Sequence, residues 1–110
     1  MDATTGARLQ PTRDLAALTG DLCNALLTPR DRESMRRLLL DLCTPAEIRT
    51  LAERLHVARL LDGSDLSYRE IHEATGVSTT TIVRVGRFLR QEQNQGYRSV
   101  IDALGTGDAR

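Results

Sequence analysis

Leu15, Leu18, Leu22, Ala25 and Leu26 recur at intervals of three and four, the spacing of one face of an α-helix. This helix should stop at Thr28, because Pro29 disfavours helical geometry in the residue before it. Met35, Leu38, Leu39 and Leu42 repeat the pattern on a second helix that starts near Arg30. The clearest start signal comes next. Thr44 stands as N-cap, Pro45 occupies the first helical position, and Glu47 follows three residues after Thr44, which together make a capping box with an N1 proline. The predicted helix runs from Pro45 to about Asp62. Ile48, Leu51, Leu55, Ala58 and Leu61 form one stripe on it, and Val57 and Leu60 widen that stripe beyond what a surface helix needs. The pattern predicts a central helix packed on two sides.

Gly63 fits a C′ position that ends this helix in a left-handed turn, and Ser67 with Glu70 supplies a second capping box. A short helix is predicted from Tyr68 to Thr75, burying Ile71 and Ala74. Gly76 permits the positive φ of a tight turn, Val77 can pack beneath it, and Ser78 can cap the next helix. That helix runs to about Gln91 and buries Ile82, Val85 and Leu89. The β-branched run Thr79 to Val83 has strand propensity, but the Ser78 cap and the 82, 85, 89 spacing outweigh it. A last helix holds Tyr97, Val100, Ile101 and Leu104 after a break at Asn94 to Gly96. Residues 1–10 and 105–110 read as tails, which leaves a single all-helical domain over 11–104.

Composition narrows the function. With 110 residues the chain holds one core. Hydrophobic residues at 40% and charged residues at 27% are ordinary for a soluble protein. No apolar run approaches the roughly 20 residues of a bilayer span, and Met1 to Thr5 lack the basic-then-apolar layout of a signal peptide, so a cytoplasmic protein without membrane contact is expected. Cys23 and Cys43 fit a reducing compartment and read as small buried apolar residues. All 15 basic residues are arginine, which removes lysine Schiff-base and general-base chemistry and suggests a GC-rich bacterial source. Aromatics at 3%, with no tryptophan, argue against a stacking platform for single-stranded nucleic acid.

The formal net charge of zero hides an asymmetry. Residues 66–90 carry Glu70 and Glu73 against Arg69, Arg84, Arg87 and Arg90, a local positive excess suited to an anion. In the same stretch lies the layout of short helix, glycine turn and second helix, which is that of a helix-turn-helix from Ser67 to Arg90. With Ile82, Val85 and Leu89 inward, Thr79, Thr80, Val83 and Arg87 face outward and Arg84 lies at the flank. Small hydroxyl residues at the leading end can approach base edges closely. Arg84 and Arg87, a turn further on, suit phosphates, and Arg69 can reach a base or a phosphate.

Three stretches, LCTPAEIRTLAERLHVARLL, LSYREIHEATGVSTTTIVRV and GYRSVIDAL, resemble the Trp-repressor-like superfamily and within it the YerC/YecD type, over roughly Leu39 to Leu104. The resemblance implies a six-helix, all-α subunit intertwined with a second copy as a homodimer, its two reading helices facing successive major grooves. It also implies DNA contacts from Arg69, Thr79, Thr80, Val83 and Arg84. In the tryptophan-responsive branch a corepressor is sandwiched by two arginines and held by a threonine, matching Arg54, Arg84 and Thr44. Val85 stands where that branch has glycine, Phe88 where it has serine, and Asp41 and Cys43 where it has leucines. The resemblance therefore implies a degenerate pocket (Thr44, Arg54, Arg84, Val85, Phe88), no tryptophan response and no cofactor. It discloses no other small-molecule effector.

Other features point nowhere sharper. His56 and His72 lie too far from each other and from the cysteines to suggest a metal site. Arg30, Arg32, Arg36 and Arg37 interleave with Asp31 and Glu33, as on a solvated helix face. A small all-helical enzyme of the chorismate-mutase kind would draft Arg8, Arg49 or Arg54, but no Glu or Gln is clearly aimed into a pocket; a protein-interaction adaptor would instead use the threonine face. The reading favoured is a non-enzymatic, homodimeric transcriptional repressor that binds double-stranded DNA through Ser67, Arg69, Ser78, Thr79, Thr80, Val83, Arg84 and Arg87.

Overall fold

Six helices, and no strand among the described residues, make up the computed structural model, which describes residues 9–91 and 93–105. The expected tails lie mostly outside the described residues, as does Arg8; Leu9, Gln10 and Gly105 are non-helical. The helices are α1 (Leu15–Leu26), α2 (Arg32–Leu42), α3 (Pro45–Gly63), α4 (Tyr68–Thr75), α5 (Thr79–Gln91) and α6 (Gly96–Leu104). The chain falls into two units, one ending at Leu42 and the other beginning at Cys43.

In the first unit, Asp14 caps α1 by accepting a hydrogen bond from the Ala16 amide at 3.1 Å. The helix ends at Leu26, earlier than the Thr28 stop expected, and the Thr28 hydroxyl donates to the Asn24 carbonyl at 3.1 Å. The second helix starts at Arg32 rather than near Arg30. Asp31 is the reason: its carboxylate accepts from the Ser34 amide at 2.7 Å, and this bond holds its carboxyl below the usual range. Arg36 pairs with Glu33 at 2.7 Å, and Arg30, Arg32, Arg36 and Arg37 are all exposed, as expected of a solvated face. No residue of α1 or α2 is buried; Leu15 is 74% exposed, Leu18 46% and Leu22 44%.

The cysteines depart from expectation. Cys23 is exposed, on a helix none of whose residues is buried, and Cys43 is half-buried just ahead of the α3 cap, outside the core.

In the second unit the capping box at α3 forms in full: Glu47 N–H donates to Thr44 Oγ1 at 3.1 Å, and Thr44 N–H donates to Glu47 Oε1 at 2.8 Å. Gly63 does not take the left-handed turn expected of it. It is the last helical residue, Ser64 follows in extended geometry, and the Ser64 hydroxyl donates to the Leu60 carbonyl at 2.7 Å. A carbonyl that would have needed the turn is thereby satisfied.

The core consists of Val57 and Ala58 of α3, Ile71 of α4, Val77 of the following turn, Ile82, Val85 and Leu89 of α5, and Ile101 of α6. Ile71 and Ile82 are fully buried, which stabilises the unit by about 1.5–3 kcal/mol each. Ala74, expected inside, is exposed, because the one-turn step from Ile71 carries it past the edge of the buried face. The buried residues of α3, Val57 and Ala58, lie in its C-terminal half, and Leu51 remains 51% exposed.

Arg98 ties α6 to α3. Its guanidinium donates to Asp62 at 2.8 Å and to Asp102 of its own helix at 3.2 Å. The hydrogen bond from Arg98, with its charge, holds the Asp62 carboxyl below its ordinary value of 3.8. A depressed carboxyl contributes stability above its unfolded-state value, and that stability is lost as pH falls through the folded value. Thermal melts are therefore expected to show the wild-type chain losing stability below about pH 4. Asp62→Asn should melt lower at pH 7 and lack that part of the acid dependence; parallel curves at every pH would refute the contribution.

Candidate nucleic-acid interface

Ser67 caps α4 through a second full capping box with Glu70, at 3.1 and 2.8 Å. Nine residues after Ser67 the chain turns at Gly76, whose φ of 75° and ψ of 0° lie in the left-handed region favoured by glycine. Val77 packs beneath the turn and is 4% exposed. The polar groups around it are satisfied locally: the Thr75 hydroxyl donates to the Ile71 carbonyl at 2.6 Å and accepts from the Val77 amide at 3.1 Å. His72 is exposed, its Nδ1 lying 2.7 Å from the Val77 carbonyl oxygen.

The second helix begins at a side-chain cap, the Ser78 hydroxyl accepting from the Thr81 amide at 3.1 Å. Ile82, Val85, Gly86 and Leu89 are buried. This rotation turns Thr79, Thr80, Val83, Arg84 and Arg87 to the opposite face, where all five are exposed and line one recess of about 440 Å³. Ser67 and Ser78 stand apart from it, their hydroxyls engaged as helix caps. Arg69 projects from the first turn of α4, 86% exposed, with Glu73 at 3.4 Å.

Arg84 has a second setting. Its guanidinium carbon lies 4.6 Å from the centre of the Phe88 ring, a cation–π contact. It also lines a separate cavity of about 490 Å³ with Arg54, Val85, Phe88 and Tyr97. Four of the five residues expected at a degenerate ligand pocket thus meet. Thr44 is not in that lining; its hydroxyl caps α3. The Arg54 Nε is buried without a hydrogen-bond partner among the described residues. Val85 is 1% exposed, and the Phe88 ring lies against the Arg84 guanidinium.

Tyr68, Gly86 and Arg90 escaped the sequence reading as a group. The Tyr68 ring lies across α5 at Gly86, and its hydroxyl accepts a hydrogen bond from Arg90. A glycine inside an otherwise sound helix was the available signal, since such a residue usually has a packing reason. Among the described residues no group of three or more His, Cys, Asp or Glu could hold a metal ion, and no helix is long and apolar enough to cross a membrane.

A short capped helix, a left-handed glycine turn and a second helix presenting threonines and arginines outward, in an all-helical chain, define a helix-turn-helix protein. The chain belongs to the Trp repressor family, a family of helix-turn-helix DNA-binding regulators, whose sequence model matches residues 19–105. It is 43% identical over 83 residues to the uncharacterised protein YerC of Bacillus subtilis (strain 168), covering 76% of this chain and 78% of that one. Two crystal structures share the fold. A Staphylococcus aureus protein provisionally assigned as a Trp repressor gives a TM-score of 0.73 at 38% identity, over 80% of this chain and 86% of its own. A TrpR-like protein from Eubacterium eligens ATCC 27750 gives 0.75 at 35% identity, over 84% and 94%.

Proposed function

We propose that this protein is a sequence-specific transcriptional repressor that binds double-stranded DNA as a homodimer in the cytoplasm, through the unit from Ser67 to Arg90, without tryptophan as corepressor. The recess on α5 carries the reading: two threonines and a valine at the leading end, with two arginines beside them, match what a major groove and its phosphate walls require. Thr79, Thr80 and Val83 read bases; Arg84, Arg87 and Arg69 hold phosphates; Ser67 and Ser78 act through the helix starts they cap. The apolar faces left uncovered on α1, α2 and the first half of α3 favour a second copy as partner. A buried Val85 and a Phe88 ring already stacked on Arg84 leave the indole of tryptophan without its place.

The test is selection of bound duplexes from a random pool at two salt concentrations, with and without tryptophan. Enrichment of a two-fold symmetric site in the absence of tryptophan is expected. Enrichment only with tryptophan would overturn the assignment of Val85 and Phe88, and no enrichment at low salt would shift the reading to a protein-interaction adaptor. On the selected site, Thr80→Ala should relax base preference and leave the salt dependence alone, while Arg84→Ala should weaken all duplexes alike and reduce the salt slope by roughly one. Identical behaviour of the two variants on selected and random duplexes would refute the division into base and phosphate contacts.

A further inference from the structure

Two glycines in the helix-turn-helix are needed for opposite reasons. At Gly76 the space is open and the backbone is left-handed. At Gly86 the backbone is ordinary helix and the space is taken: a Cβ there would overlap the Tyr68 hydroxyl and stand 3.2 Å from the ring carbon Cζ. Tyr68 opens α4, so the ring fixes where the start of one helix crosses the middle of the other. Its hydroxyl is the acceptor for Arg90 Nη1, whose guanidinium carbon lies 5.6 Å from the ring centre.

Arg90 is exposed, and no acidic side chain pairs with it among the described ion pairs, which engage Arg36, Arg49, Arg69 and Arg98. A guanidinium carries five N–H donors, and the tyrosine takes one. Arg84, Arg87 and Arg90 follow at three-residue steps, about 4.5 Å apart along the helix axis, so the cationic row that begins in the recess continues to Arg90. An arginine loses rotamer freedom when it reaches for a phosphate; one already held on a tyrosine has lost much of it beforehand.

We propose that Tyr68 is a positioning residue of the DNA-reading unit: seated on Gly86 it sets the angle between α4 and α5, and by holding the Arg90 guanidinium it makes Arg90 a further contact to the phosphates of duplex DNA. This rests on the DNA-binding reading above.

Four variants of the full chain test it against the wild type, by duplex affinity over a range of salt concentrations and by melting temperature: Tyr68→Phe, Arg90→Gln, Gly86→Ala, and Gly86→Ala combined with Tyr68→Leu. Arg90→Gln should weaken selected and random duplexes alike and lower the slope of log affinity against log salt by roughly 0.9. Tyr68→Phe keeps the ring and should keep the melting temperature, yet weaken binding by about two- to tenfold, the worth of one hydrogen bond. Gly86→Ala should lower both affinity and melting temperature, and adding Tyr68→Leu should restore the melting temperature without restoring full affinity. An unchanged slope in Arg90→Gln, or wild-type affinity in Tyr68→Phe, would overturn the role of the pair. Equal damage from Gly86→Ala in both backgrounds would overturn the seating. If the wild type binds and the variants match it, only this inference falls; a wild type that binds no duplex removes the DNA reading and the phosphate contact with it.

Discussion

Gly76→Val is expected to abolish duplex binding at every salt concentration while the chain stays helical. The cost is conformational. Nothing lies within 4 Å of a Cβ built at Gly76, but its φ of 75° is the left-handed region, where a non-glycine residue is strained by about 1–3 kcal/mol and a β-branched one belongs at the high end. Relief requires the turn to move. Ile71, Val77 and Ile82, buried on either side of that turn, would carry the movement into the start of α5 and break up the recess. Gly76→Asn is the control, because asparagine tolerates this backbone, and it should bind within a few-fold of the wild type. Fluorescence anisotropy with a labelled duplex and circular dichroism decide the matter; full binding by the valine variant would count against the helix-turn-helix as the DNA-binding element.

The double substitution Leu18→Glu, Leu22→Glu is expected to yield a monomer and to lower affinity for a two-fold site by about 10²–10⁴, the factor by which linking two half-site contacts multiplies binding. Both leucines lie on α1, at 46% and 44% exposure, on a helix none of whose residues is buried. Placing carboxylates there replaces no member of the core of the second unit, since every member of that core lies beyond Cys43. Sedimentation equilibrium at micromolar concentration reads the first effect and titration of a symmetric duplex the second. A wild-type chain that sediments as a monomer would overturn the homodimer, and a glutamate variant that stays dimeric would move the interface off α1.

What could be read from the sequence was whatever a few neighbouring residues decide among themselves. The caps at Thr44, Ser67 and Ser78 and the turn at Gly76 each involve partners within five positions, and the structure shows all four. The bounds of α4, and the inward set Ile82, Val85 and Leu89, follow from the same short-range signals. Where two local solutions compete, the sequence alone does not choose. Asp31 displaced the expected start of α2, and the Ser64 hydroxyl closed α3 in place of a left-handed Gly63, because a side-chain oxygen satisfied the backbone group first. Contacts set by the crossing of helices were out of reach. The pairing of Arg98 with Asp62 spans 36 positions and that of Arg90 with Tyr68 spans 22, and both depend on angles fixed by the core. The exposure of Cys23 and Ala74 was hidden for a related reason: periodicity marks a face as apolar without saying whether this chain covers it.

All buried residues among those described lie in the second unit, and those of the first are exposed or half-buried. Inheritance can act on the two separately. Under the proposed function, substitutions on α1 and α2 would alter which chain is accepted as a mate, and substitutions around Thr79, Thr80 and Val83 would alter which sequence is read. After gene duplication, two such regulators in one cell can become insulated from each other by a few surface changes in the first unit, before either has acquired a new target.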